Sequence, residues 1–321
     1  MDYIKKVKLS EIRNYTLDKY AFICFASFEE RCFSIPKNID VGKINEAYVL
    51  YNSNPEMAEK SKQHLNDIYG KIKGISPVPL EINKPVDVAD EIYKIIQKIC
   101  AAGDTRLIVD ITCFTHEILL ILISSLYKCK KNFDSIVLLY NGASEYSTWL
   151  SKGCKEVRNI LGYPGSLKPS QKYHLVVLTG FEKERATRLV ELLEPDLLSV
   201  GNGIEPTDHK HSNTMEEIRK DFNEWARNLQ GVEVESFEFS CSNIFSTTET
   251  LNNIIKGNPD HNYIFVPLNT KLSTLSVALV ALQNEKIQVC YPIPEVYNTT
   301  YSMPSDNVTI IEIDKVLEAL Q

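Results

Sequence analysis

Several familiar signatures are missing from this 321-residue chain. No Gly-x-Gly-x-x-Gly follows the first apolar run, which disfavours a dinucleotide cofactor of the NAD or FAD type. Walker A, Gly-x-Ser-x-Gly and His-Glu-x-x-His motifs are absent, which removes P-loop NTPases, α/β-hydrolases and zincins. No cofactor is expected. The eight cysteines (24, 32, 100, 113, 129, 154, 241 and 290) form no Cys-x-x-Cys pair and no framework spacing. Most lie inside apolar runs, so reduced thiols in a cytoplasmic protein are expected. Met1 to Asp18 has no apolar core of a signal peptide. The longest apolar stretch, Ile118 to Tyr127, is too short to span a bilayer and reads as a buried helix. Clustered basic residues are lacking and the net charge is −7. A broad duplex nucleic-acid face is thereby excluded, whereas a small basic pocket for a phosphorylated ligand is not.

What remains is a regular alternation of apolar runs and helical patterns. Tyr20–Ala26, Glu46–Tyr51, Leu107–Ile111 and Ser135–Tyr140 read as strands. Pro55–Tyr69, Val86–Ala101 and Thr115–Lys128 read as helices between them. His174–Thr179, Leu197–Val200, Val232–Phe239, Tyr263–Pro267 and Gln288–Ile293 continue as strands. Helices over Glu182–Leu193, Thr214–Gln230, Thr247–Ile255 and Leu272–Gln283 separate these. The pattern predicts an α/β protein of two tandem Rossmann-like domains with mostly parallel sheets.

The second half echoes the first at a near-constant offset. Ala26-Ser27-Phe28-Glu29-Glu30-Arg31 resembles Thr179-Gly180-Phe181-Glu182-Lys183-Glu184-Arg185. Leu107–Thr112 matches Ile264–Asn269, and Ile136–Tyr140 matches Ile287–Tyr291. Three ordered matches point to an internal duplication with pseudo-two-fold related halves. The boundary is expected over Leu161–Gln171, rich in Gly, Pro and Ser, with domains over 1–160 and 172–321.

Ligands of open α/β sheets bind beyond the carboxyl ends of the strands. The candidate contacts are therefore the residues that follow each strand. After the first come Ser27, Glu29 and Arg31. Ser27 is either a ligand contact or the N-cap of a capping box with Glu30, and Arg31 is a candidate phosphate clamp. Asp110, Thr112, Thr115 and His116 crowd the mouth of the buried helix. His116 is a candidate acid or base, or a turn cap. Asn141 is either a base-edge contact or a turn residue. In the second half the matching positions are Gly180, Glu182 and Arg185, then Asn269, Thr270 and Lys271. Gly180 would allow close approach of a ligand, and Lys271 is the leading candidate for charge. The polar loop from Gly201 to Asn213 holds Asp208, His209 and His211, which lack a third metal ligand and read as a ligand-contacting loop or lid rather than a metal site.

Asp110-Ile111-Thr112 with Thr115, and Asn269-Thr270-Lys271, resemble the ligand loops of CRISPR-associated Rossmann-fold (CARF) domains. The related SAVED domains fuse two such units in one chain. Cys113 and Phe114 stand where that family has glycines, and the turns Phe28–Arg31 and Phe181–Arg185 lie outside its signature. The resemblance implies a sensor of cyclic oligonucleotides in bacterial antiviral defence, with ligand held at strand ends between the halves. It also implies a protein partner or second copy for readout. The other readings are a metal-independent nucleotide-processing enzyme, with His116 and Lys271 as working groups, a phosphoribosyltransferase-like enzyme, or a partner-binding scaffold.

Overall fold

The computed structural model describes residues 3–15, 19–53, 55–72, 74–147, 149–204, 212–299 and 302–319. Asp208, His209 and His211 lie outside them. Strands along the chain are β1 (Ile4–Lys8), β2 (Tyr20–Ala26), β3 (Ile44–Asn52), β4 (Ile75–Leu80), β5 (Arg106–Asp110), β6 (Ser135–Tyr140), β7 (Ala143–Tyr146), β8 (Ser151–Lys152) and β9 (Glu156–Pro164). They continue as β10 (Tyr173–Leu178), β11 (Leu197–Ile204), β12 (Glu233–Ser240), β13 (Asn262–Pro267), β14 (Ile287–Ile293), β15 (Val296–Tyr297), β16 (Ser302–Pro304) and β17 (Asn307–Glu312). Helices are α1 (Ser34–Asn38), α2 (Pro55–Tyr69), α3 (Pro85–Ala101), α4 (His116–Cys129), α5 (Lys183–Leu193), α6 (Ser212–Arg227), α7 (Ile244–Gly257), α8 (Lys271–Gln283) and α9 (Ile313–Ala319).

The chain forms two compact units. The first comprises Met1–Tyr146 and Ser302–Gln321, the second Ser147–Tyr301. Among the described residues the first unit's main sheet has the order β1-β17-β6-β5-β2-β3-β4. Strands β2 to β6 are parallel, whereas β17 and β1 are antiparallel additions. The second unit's sheet runs β12-β11-β10-β13-β14-β9, parallel except for β9. In each parallel set the chain builds outward from its first strand, then crosses to the other side. The reversal falls between β2 and β5 in one unit and between β10 and β13 in the other. In open α/β sheets such a reversal is where ligands bind, at the carboxyl ends of the strands. Both units are α/β with mostly parallel, Rossmann-like sheets.

The sequence dictates these elements locally. Every residue of β2 and of β13 is buried, as expected of parallel strands covered on both faces. Helix α3 starts with Pro85 at its first turn and buries Val88, Ile92, Ile95, Ile96 and Ile99, one stripe at helical spacing. By contrast α4 and α8 are apolar nearly all round and buried on nearly all faces. Their few hydroxyls turn back on the backbone: Ser125 donates to the Ile121 carbonyl at 2.9 Å, and Ser276 to that of Ile244 at 3.0 Å. No helix among the described residues is long and apolar enough to cross a membrane. All eight cysteines are free thiols, six buried and Cys100 and Cys154 half-buried.

The expected domain boundary differs from the observed one. Residues 161–164 are not linker but the end of β9, which pairs with β14. The glycines serve irregular edge-strand backbone: Gly162 and Gly165 have positive φ, and the pairing carries a bulge between Gln288 and Cys290. Residues 302–319 belong to the first unit, because β17 inserts its buried Val308, Ile310 and Ile311 between β1 and β6.

Strand edges are guarded. Pro77 and Pro79 alternate along β4 while its register with β3 holds, so their missing N–H groups face outward. Replacing both with threonine is expected to promote self-association, read by light scattering as concentration rises. Unchanged scattering would mean the edge is protected otherwise.

Candidate functional site

The first unit's switch point is built from the turn after β2. Ser27 Oγ accepts the Glu29 N–H at 3.3 Å. A short 3-10 helix over Glu30–Phe33 follows, with Glu29 at its N-cap and no side-chain cap. The capping box expected of Ser27 and Glu30 therefore does not form. Arg31 and Glu29 are 3% and 7% exposed and bonded to each other, with Nε and Nη2 donating to Glu29 Oε2 at 2.9 and 2.5 Å. Arg31 Nη1 donates to the Asn141 carbonyl at 3.2 Å, and Ser302 Oγ to Glu29 at 2.9 Å. Arg31 is thus engaged inside the protein. It ties the β2 turn to the end of β6 instead of presenting a fork to solvent phosphate.

After β5, Asp110 Oδ1 accepts the Thr112 N–H at 3.0 Å, and Thr112 Oγ1 accepts the Asn141 N–H at 3.0 Å. Asn141 Nδ2 donates to the Ser305 and Asn307 carbonyls at 2.7 and 2.8 Å. Asp110 is a brace, and Asn141 pins the returning C-terminal segment. Thr115 caps α4 through the Ile118 N–H at 3.2 Å. His116 opens that helix half-buried.

The second unit repeats the arrangement with other residues. Arg185 Nη2 bonds Glu182 at 2.9 Å, and Nη1 donates to Tyr291 Oη and the Pro292 carbonyl, each at 3.1 Å. Ser151 Oγ donates to Glu182 at 2.9 Å. Burial disfavours the Arg185 charge, but Tyr291 and Glu182 more than offset it, and the guanidinium stays protonated. Each unit therefore joins one arginine, one glutamate, one serine and the carbonyl at or just beyond the end of its fifth parallel strand.

Gly180 has a role other than ligand approach. A Cβ there would stand 1.8 Å from the Leu268 carbonyl oxygen, so backbone fills the space. The turn after β13 then closes on the turn after β10. Asn269 Nδ2 donates to the Thr179 carbonyl at 2.6 Å, and Asn269 Oδ1 accepts the Thr270 N–H at 2.8 Å. Thr270 caps α8 through the Ser273 N–H at 3.2 Å and donates to the Cys241 carbonyl at 2.8 Å. Lys271 is the first residue of α8 and only 9% exposed. The start of α8 is the positive pole of that helix, where anions are favoured.

The structure thus brings Ser27, Asp110, Thr112, Glu29 and Arg31 to one switch point, and Gly180, Asn269, Thr270 and Lys271 to the other. Sequence reasoning missed Ser151, Ser302, Tyr291 and His64. The first three are remote in the chain from the residues they touch. His64 lies within α2 and carries no local motif. Along the outer face of α6 an open groove of about 540 Å³ is lined by Glu216, Arg219, Lys220, Asn223, Glu224 and Arg227. Its charges nearly balance, and Arg219 is paired with Glu238 at 2.8 Å. Among the described residues no three His, Cys, Asp or Glu side chains are placed to hold a metal.

At the opposite, amino end of β10, His174 is fully buried. Ser199 Oγ donates to Glu235 at 2.5 Å and lies 2.6 Å from His174 Nε2. With its one proton given to Glu235, the Ser199 hydroxyl accepts from His174, so neutral His174 is protonated at Nε2. Its Nδ1 is left buried without a partner. Burial first, then His261, lowers its pKa to about 4. Glu235 stands 3.6 Å away and is half-exposed. The unfolded chain takes up the proton first, so this contribution is intact above about pH 6.5 and lost as pH falls toward 4. The loss is at most about 3 kcal/mol. Denaturant midpoints at pH 7.5 and 4.5 should differ less in His174→Gln than in the parent. An equal difference would place the acid sensitivity elsewhere.

No protein-family model matches the chain, and no curated protein matches it. Among solved structures it is similar to the leucoanthocyanidin reductase–NADPH complex from Vitis vinifera. That similarity has 10% identity and a TM-score of 0.26, over 83% of this chain and 88% of the reductase. A second is type I 3-dehydroquinate dehydratase from Clostridium difficile, in a structure with covalently modified comenic acid. Here identity is 10% and the TM-score 0.16, over 87% and 98% of the two chains. Similarities this low bear on neither fold nor function.

Proposed function

We propose that the protein binds a small phosphorylated or nucleotide ligand at its switch-point crevices. The single observation that carries this is Lys271, nearly buried at the first turn of α8, where the second unit's strand order reverses. An anion seated at this helix start would meet the positive pole of α8. The CARF resemblance of Asp110–Thr112 and Asn269–Lys271 favours linear or cyclic oligonucleotides within this class. It gives the protein the role of a sensor in antiviral defence, with readout through a partner protein or second copy. The matching Glu–Arg–Ser clusters and the shared order of the five parallel strands support descent of the two units from one duplicated ancestor.

A panel of mononucleotides and of linear and cyclic oligonucleotides tests this by thermal shift, with chromatography of the same samples. A ligand at a hundred times its Kd adds about 2.7 kcal/mol. A shift abolished in Lys271→Ala, without product, is expected. A product would make the protein an enzyme and direct attention to His116. No shift with any member would refute the nucleotide reading.

A further inference from the structure

His64 sits above the end of β2 and belongs to no motif. Its Nδ1 lies 2.6 Å from the Ser27 carbonyl oxygen, the first backbone carbonyl beyond the strand. A carbonyl oxygen only accepts, so Nδ1 carries the proton whether the ring is neutral or charged. The Cys32 thiol donates to the same carbonyl at 3.9 Å, and its sulfur lies 3.5 Å from His64 Nδ1. Phe33 meets the ring edge-on with centroids 4.7 Å apart. The imidazole is therefore fixed in both tautomer and orientation. In the neutral ring Nε2 holds the lone pair, and among the described residues no protein group bonds it. The side chain is half-buried. This is the Nδ1–H tautomer, whose selection by a backbone carbonyl leaves Nε2 as an acceptor or base.

We propose that His64 is the accepting group of the first unit's site, taking a hydrogen bond through Nε2 from a ribose hydroxyl or base amino group of the ligand. This inference rests on the nucleotide reading and adds what that reading lacks in the first unit. Arg31 and Glu29 are bonded to each other, and Arg31 and Thr112 to the Asn141 backbone, whereas His64 offers its acceptor beside the switch-point turn. Burial pushes the Cys32 thiol up to about 12, so the neighbouring sulfur is an inert wall and not a nucleophile.

Two variants separate the two ring nitrogens. Asparagine places an amide donor near Nδ1 and deletes the acceptor, so His64→Asn keeps the Ser27 bond. Glutamine extends to the Nε2 position, so His64→Gln keeps an acceptor there. Three readouts on the full-length protein decide the matter, with AMP as probe. Nitrogen-15 NMR at neutral pH is expected to show the Nδ1–H tautomer for His64; the Nε2–H tautomer would overturn the proposal with or without a ligand. Diethylpyrocarbonate is expected to modify His64 in the free protein, and AMP to slow that reaction at least tenfold; an unreactive His64 overturns it. The AMP thermal shift, read for each variant against its own free form, is expected to vanish in His64→Asn and survive in His64→Gln; the reverse pattern would overturn the proposal. A wild-type shift with AMP but no protection of His64 overturns this inference while leaving the nucleotide reading intact. If AMP produces no shift at all, the failure belongs to the parent reading for this ligand, and tautomer and free reactivity still decide whether His64 is built as described.

Discussion

Arg185→Ala is expected to lower the unfolding free energy by about 3 to 5 kcal/mol, the cost of breaking a buried ion pair from one side. Glu182 would keep the Ser151 hydroxyl but lose its counter-charge. Tyr291 and the Pro292 carbonyl would each lose a donor. The pair need not be net stabilising, because both ions are desolvated. The double change Glu182→Gln with Arg185→Met is therefore expected to cost much less than the single one. Arg31→Ala should behave alike in the first unit, since Glu29 and Arg31 are as deeply buried. Guanidinium denaturation measures the effect. A loss below about 1 kcal/mol would mean that the pair is solvated and cheap, as exposed pairs are.

Gly180→Ala is expected to cost about 3 kcal/mol or more, the upper end of overpacking effects. The added carbon would lie 1.8 Å from Leu268 Oxygen and 2.8 Å from its carbonyl carbon, both main-chain atoms. The neighbouring backbone has little room to give, because the Leu268 N–H is held by the Leu178 carbonyl at 2.9 Å. Relief requires moving the loop that carries Asn269 and Lys271, so ligand binding should fall with stability. Gly257→Ala is the control. Nothing lies within 4 Å of a Cβ there, and its effect should stay within about 0.5 kcal/mol. If both variants melt together, the close approach at Gly180 is not real.

The central strands were legible because each is a continuous apolar run between helical patterns. Those of β2, β5, β10 and β13 are buried along nearly their whole length. The helix over Ile118–Tyr127 was legible for a similar reason: few polar residues interrupt it. Strand β4 was not, since Ser-Pro-Val-Pro reads as a breaker until an edge position makes its missing donors harmless. Strands β1 and β17 were not legible either. They complete a sheet by pairing residues 4–8 with 307–311, which no local pattern announces.

The Phe-Glu turns with their following arginines, Phe28–Arg31 and Phe181–Arg185, show a different kind of gap. Their residue types stand out in the sequence, but composition cannot tell whether a glutamate and an arginine face a ligand or each other. Partners more than a hundred residues away decide it: the carbonyl of Asn141 for Arg31, and Tyr291 with Pro292 for Arg185. Gly180 reads in sequence as room for a ligand, whereas the Leu268 carbonyl stands against it. His64 was invisible because its significance comes from a single carbonyl on another element.

Hydrogen–deuterium exchange of the full-length protein, with and without the most stabilising nucleotide of the panel, tests the central claim most directly. Slowed exchange over residues 268–273 and 110–118, the two switch-point turns and helix starts, is the expected result. Protection confined to the α6 groove at residues 216–227, or no protection anywhere, would contradict it.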